Sequence, residues 1–214
     1  MPDLSQLALY LAAAALLAVT PGPGLFYVAA RSLAGGRAEG VTSSIGTGLG
    51  GMVHVAAGSL GVSAILLASA ELFTALKLIG AAYLVWLGLR TLLMARREAM
   101  PGLAATTPAI GAGRAFREGV LVEVLNPKTA AFFLAFVPQF LDPAAGRPGL
   151  QFLLLGFLSV ALNTLADIAI ALAASRLRDG AAARPTLVRR LREASGGAMV
   201  ALGLGLAFAR RPAS

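Results

Sequence analysis

Asp167 interrupts an apolar run of about residues 150–175, and Asn163 stands four residues earlier, on the same face of a helix. A charge at bilayer depth costs about 3 kcal/mol or more, so a carboxyl there needs a reason. Such a group can take up and release a proton, or act as a hydrogen-bonding acid that fixes helix packing. His54 lies on a stripe with Gly46, Gly50 and Gly58. Histidine titrates nearest neutral pH, which makes His54 a second proton group or a hydrogen-bond partner for a neighbouring helix. Glu123 and Lys128 flank Asn126-Pro127. Glu123 could meet an ammonium group; Lys128 could pair with Glu123 or Asp167, or help hold a carboxylate. Glu71 and Lys77 fall at a loop and read as solvated. The chain has no cysteine and one histidine, which excludes thiolate chemistry, disulfides and an HExxH metal site; no Walker A motif appears. These residue types suit the handling of protons and zwitterions better than bond breaking, with an ion gradient rather than ATP as the driving force. No metal or other cofactor is expected.

Two proline-bearing breaks must position these groups. Thr20-Pro21-Gly22-Pro23-Gly24 lies inside an apolar run of about 4–30, and Asn126-Pro127 inside one of about 118–141. Proline lacks an N–H and clashes with the carbonyl four residues back, so Pro21, Pro23 and Pro127 free the carbonyls of Leu17, Val19 and Glu123. In lipid, such a break survives only against protein or a water-lined cavity. Thr and Asn are N-cap residues and proline favours the first helical position, so Thr20-Pro21 and Asn126-Pro127 each predict a helix start within a span. The new half-helix offers N–H groups and a positive dipole end to a carboxylate, and the preceding half offers carbonyls to an ammonium. Thr20, Pro21, Gly22, Pro23, Gly24, Glu123, Asn126, Pro127 and Lys128 are the expected substrate-binding residues; Asp167, His54 and Asn163 are the expected proton-coupling residues. Two ordinary proline kinks are the plainer alternative.

The composition places these breaks in a membrane. Of 214 residues, 57% are hydrophobic and 13% charged, with a mean hydropathy of +0.79. Soluble domains carry about 25% charged residues. The net charge of +8 does not imply nucleic acid, because the arginines cluster between apolar blocks with no aromatic residues interleaved for stacking. The blocks predict an all-α, polytopic membrane protein, a single membrane domain over 1–214 with spans at about 4–30, 41–68, 73–94, 118–141, 150–175 and 194–209. The first apolar run lacks the basic start of a signal peptide and reads as a retained span.

Arg31, Arg37, Arg96, Arg97, Arg114, Arg117, Arg176, Arg178, Arg184, Arg189, Arg190 and Arg192 fall on one side of these spans; Lys77, Arg147, Arg210 and Arg211 fall on the other. The positive-inside rule puts the larger group in the cytoplasm and both termini outside. A linker of about 96–113, rich in Pro, Thr, Gly and Ala, separates repeat 1 (about 1–95) from repeat 2 (about 114–214). Three spans is an odd number, so related halves would be inverted. Leu87-Gly88-Leu89 and Leu202-Gly203-Leu204 are a weak echo between the halves. By count, both breaks lie nearer the cytoplasmic end, whereas strict inversion would place them at opposite depths, unless the second half of span one runs past Arg31.

Thr20-Pro21-Gly22-Pro23, then Gly36, Gly40, Gly46, Gly50, Gly58 and Gly61, Phe116-x-x-Gly119, Asn126-Pro127-Lys128, Phe132-Phe133, Phe136 and Pro138-Gln139-Phe140 follow in an order that resembles the LysE/RhtB family of bacterial amino-acid exporters. Glu123 departs from the mostly uncharged residues expected before the NPK motif. The resemblance implies six spans in the inner (cytoplasmic) membrane, an amino acid or related metabolite as substrate, and proton-coupled export; membrane lipid is the other expected partner beside a possible second copy, and nucleic acid is not expected. A membrane-embedded enzyme and a non-transporting scaffold are the rival classes, and the sequence does not separate export from uptake. The glycine stripe also permits a homodimer.

Overall fold

The computed structural model describes residues 4–68, 70–97, 108–142, 144–177 and 185–208. Most of the linker, with Pro101, Thr106 and Thr107, lies outside the described residues, as do Arg178, Arg184, Arg210 and Arg211. Glu71 and Lys77 lie outside the described side chains. The described residues are mostly helical, without a strand: α1 (Leu4–Val19), α2 (Pro23–Ala68), α3 (Ala70–Arg97), α4 (Ala112–Val124), α5 (Pro127–Ala131), α6 (Pro148–Leu177) and α7 (Pro185–Phe208). Past α5 the chain continues as a π-helical turn, Phe132–Phe136, and a 3₁₀ turn, Val137–Phe140.

Gly36 divides α2. Its φ of 73° and ψ of −162° lie in a region that essentially only glycine occupies, so the helix from Pro23 ends at Gly35 and a longer one follows. The first half-helix therefore runs past Arg31, one of the two outcomes the depth argument allowed. Arg31, counted among loop charges, is instead buried: it lies 3.6 Å from Glu39 and donates to the carbonyl of Pro108 at 3.2 Å. Glu39 also accepts from the N–H groups of Ile110 and Gly111, both at 2.7 Å, tying the start of the second half to the first.

Among the described residues one helix, Pro148–Arg176, is long and apolar enough to cross a membrane by itself. Two bent pairs pass together: Leu4–Val19 with Pro23–Gly61, bent by 47°, and Ala112–Val124 with Pro127–Phe140, bent by 45°. The second pair starts several residues before the predicted 118, which moves its break toward the middle. At 1.5 Å per residue the pieces on either side of each break are about 20–24 Å long, so each break divides its bent pair into two pieces of similar length.

Polarity is distributed inside out relative to a soluble protein. Leu9, Leu121, Leu134, Leu154, Phe157 and Leu165 face outward, whereas Glu39, Glu123, Lys128 and Asp167 are buried. That arrangement suits lipid outside and a polar interior.

α2 lies between α4 and α6, and α3 packs on α7, so each contact joins the first half to the second. Small residues set the closeness, as expected where packing rather than the hydrophobic effect holds helices together. A Cβ on Gly50 would lie 2.7 Å from Glu123 Cβ and from the carbonyl of Val120; one on Gly119 would meet the Ser43 carbonyl at 2.8 Å. Gly46 backs on Phe116, and Gly58 on the ring of Phe152. The stripe expected to permit a homodimer is thus used for packing within the chain. Gly203, from the weak sequence echo, packs against the backbone of Ala81 and Val85 in α3.

Candidate functional site

At the first break, α1 ends in carbonyls that its own helix cannot satisfy. Thr20 N–H closes on the Leu17 carbonyl at 3.1 Å, and Thr20 Oγ1 donates to Leu16 at 2.6 Å. Thr20 therefore finishes α1. The predicted N-cap at Thr20 is corrected: α2 begins at Pro23, with proline at the first helical position and Gly22 before it.

Lys128 supplies the charge that a helix C-terminus favours. Its Nζ donates to the carbonyls of Thr20 at 2.9 Å and Leu17 at 3.2 Å, across more than a hundred residues of sequence. The expected partners of this ammonium, Glu123 or Asp167, give way to backbone oxygens. Gly22 makes room for it: a Cβ there would sit 3.2 Å from Lys128 Cδ and Cε.

The second break follows its prediction locally. Asn126 caps α5 by accepting from Lys128 N–H at 3.1 Å, and Pro127 takes the first helical position. The Glu123 carbonyl freed by Pro127 accepts from Asn126 N–H at 3.0 Å and from His54 Nε2 at 2.9 Å. A carbonyl can only accept, so His54 carries its proton on Nε2; its ring also stacks on Phe133, with centroids 6.3 Å apart. Both oxygens of the Glu123 carboxylate are engaged, Oε2 by Asn126 Nδ2 at 2.9 Å and Oε1 by Thr129 Oγ1 at 2.6 Å. A Cβ at Gly24 would lie only 2.5 Å from Oε2. The carboxylate seated beside the start of α2 is therefore the chain's own.

Asp167, 1% exposed, accepts at Oδ2 from Asn163 Nδ2 at 3.2 Å, the expected same-face partner, and from Thr47 Oγ1 at 3.0 Å. Its other oxygen, Oδ1, is buried without a hydrogen-bond partner. Thr47 Oγ1 also stands 2.9 Å from the carbonyl of Ser44. The hydroxyl has one proton for two acceptors. It can donate to an ionised Asp167, or donate to Ser44 and accept the proton of the neutral acid, so the geometry serves both protonation states. His54 is two turns from Thr47 along α2, about 10 Å.

Lys128, Thr129, Glu123, Thr47 and Asn163 line one cavity of about 30 Å³. That is room for one or two waters and not for an amino acid. The breaks, the buried ion groups and the partners of Asp167 thus meet at one place. Thr47 was not singled out in the sequence; its signal was a hydroxyl beside the His54 glycine stripe, which helical spacing alone would not distinguish from Ser43 or Ser44. The Arg31–Glu39 pair was hidden because Gly36 did not reveal that the half-helix ends after Arg31.

A helical membrane translocator is the class these features define. The chain belongs to the LysE type translocator family, whose pattern matches residues 15–210. It is 32% identical over 203 residues to an uncharacterized membrane protein of Vibrio cholerae, covering 94% of this chain and 96% of that one. It is 32% identical over 204 residues to a homoserine/homoserine lactone efflux protein of Salmonella typhimurium, covering 94% and 95%. A leucine efflux protein of the same organism is 28% identical over 146 residues, 68% of each chain. No solved structure matches the chain significantly. The resemblance carried by the TPGP and NPK motifs is thereby shown.

Proposed function

We propose that the protein is a secondary active transporter that exports an amino acid or a related small amphipathic metabolite from the cytoplasm in exchange for protons. Six spans cross the bacterial inner membrane as two inverted three-helix repeats, with both termini outside. The substrate site is the cavity between the two breaks. The carbonyl end of α1, capped by Lys128 while the site is empty, takes the substrate ammonium; the turns at Pro21–Gly24 and Asn126–Thr129, held in shape by Glu123, take its carboxylate. Asp167, held by Asn163 and Thr47, carries the coupling proton, and His54 is a secondary relay.

The observation that carries this reading is the bridge from Lys128 Nζ to the carbonyls of Leu17 and Thr20, which brings both broken helices to one buried polar centre. Broken helices meeting at mid-depth are the usual substrate and ion site of inverted-repeat transporters. Relatives named for homoserine and leucine efflux supply the substrates to try first. The small cavity corresponds to a closed form, opened when one three-helix half rocks against the other.

The test is flux in liposomes under an imposed pH gradient, with labelled L-homoserine and L-leucine among a panel of amino acids. Gradient-dependent flux of at least one, collapsing when a protonophore dissipates the gradient, is expected. Flux of none would sink the amino-acid reading; flux indifferent to the gradient would sink proton coupling.

A further inference from the structure

We propose that Lys128 is a tethered cation that moves between two positions: on the carbonyls of Leu17 and Thr20 while the site is empty, and on Oδ1 of Asp167 once a substrate ammonium has taken those carbonyls. The inference rests on the reading of this cavity as the substrate site.

The carbonyl end of α1 is an ammonium site that already holds an ammonium, 2.9 and 3.2 Å from its two acceptors. A substrate amine and Lys128 cannot both occupy it. The displaced side chain must find an anion at depth, because an unpaired buried charge is costly. Glu123 is the nearer carboxylate along the chain, but both its oxygens are already held, by Asn126 and Thr129. Asp167 offers Oδ1, buried and bare. Its two hydrogen-bond partners, Thr47 and Asn163, line the same cavity as Lys128. The lysine stem is flexible and lies against Gly22, which has no side chain to trap it.

Other charged groups leave this exchange to Lys128. From α4 and α5, the ones that act on Asp167 are Glu123 and Lys128. From α2 it meets the neutral hydroxyl of Thr47, while His54 is engaged by Glu123, and Arg31 and Glu39 pair with each other.

The proton balance follows. In the empty site Asp167 is the neutral acid, donating to Thr47, which donates to Ser44. When Lys128 arrives, the acid's proton leaves to cavity water, Thr47 turns to donate to the carboxylate, and Oδ1 receives the ammonium. Substrate bound and proton bound thereby exclude one another, which is what an antiporter requires.

The experiment has a wild-type arm and a variant arm. Purified wild-type protein in lightly buffered detergent, mixed with whichever amino acid of the panel it transports, should release about one proton per substrate bound somewhere between about pH 5 and 8. Binding without proton release anywhere in that range would overturn the exchange. In the variants, Asp167→Asn leaves Lys128 no destination, so substrate binding should weaken about tenfold or more; removing Lys128 as well, in Lys128→Gln/Asp167→Asn, should restore it to within about threefold of wild type. A double variant as weak as Asp167→Asn, or weaker, would assign both residues structural roles and overturn the proposal. Wild-type protein that transports and binds none of the amino-acid panel would instead defeat the exporter reading on which the exchange rests.

Discussion

The two helix breaks solve the same problem in opposite ways. The second satisfies itself for the most part: Asn126 caps the helix that it starts, Glu123 is held by Asn126 and Thr129 from the same segment, and the other half adds one bond, from His54 to the Glu123 carbonyl. The first borrows its solution. The carbonyls of Leu17 and Thr20 are met by Lys128 from the other half, and Gly22 and Gly24 clear space for Lys128 and Glu123. A self-capped break keeps its shape when the halves separate, whereas a borrowed cap is lost or exchanged. In the proposed transporter the first break is the one that a ligand competes for, and the second is the frame that carries the competing groups to it.

Glu123→Ala should damage this arrangement most. It strips Asn126 and Thr129 of their shared acceptor and leaves Lys128 without its neighbouring negative charge, a change in the class that costs about 3–5 kcal/mol. Transport should fall at least about a hundredfold and the unfolding midpoint in detergent should drop; near-normal flux would contradict the shared site. A paired comparison comes next. Asn126→Ala loses a cap worth about 1–2 kcal/mol as well as the bond to Glu123, whereas Thr20→Ala loses only a bond back to Leu16, worth under about 1 kcal/mol. Thermal unfolding of the two should therefore differ, and equal losses would erase the distinction between the breaks. Gly22→Ala should be the mildest in stability, within about 1 kcal/mol, because the methyl group meets a flexible side chain at 3.2 Å. It crowds the resting place of Lys128, so substrate affinity should shift more than the unfolding midpoint does.

Much of this was legible in the sequence because membranes make irregularity expensive. Thr20-Pro21 and Asn126-Pro127 announce breaks through missing N–H groups, and Asp167 announces itself as a charge in an apolar run. Asn163 follows from helical spacing alone. The residue that joins the breaks was visible only as a candidate, since Lys128 reaches Thr20 through tertiary packing, and four-residue arithmetic cannot show that a freed carbonyl will be met from a distant helix. Thr20 misled for a related reason: a threonine beside proline suits either a helix start or a helix end, and two further residues of Gly and Pro decided it. The glycines showed that helices approach closely without showing which helix, so a stripe that packs on α4 and α6 read equally well as a dimer face.

The central claim is that substrate sits between the two breaks. The chain has no cysteine, so Ala18→Cys places a single thiol in the cavity wall, with Ala144→Cys, exposed in a loop, as a control. Thiol labelling is followed with and without saturating amounts of the amino acid the protein transports. The account predicts that substrate slows labelling at position 18 about tenfold or more and leaves position 144 unchanged. Equal labelling rates at position 18 with and without substrate would contradict it.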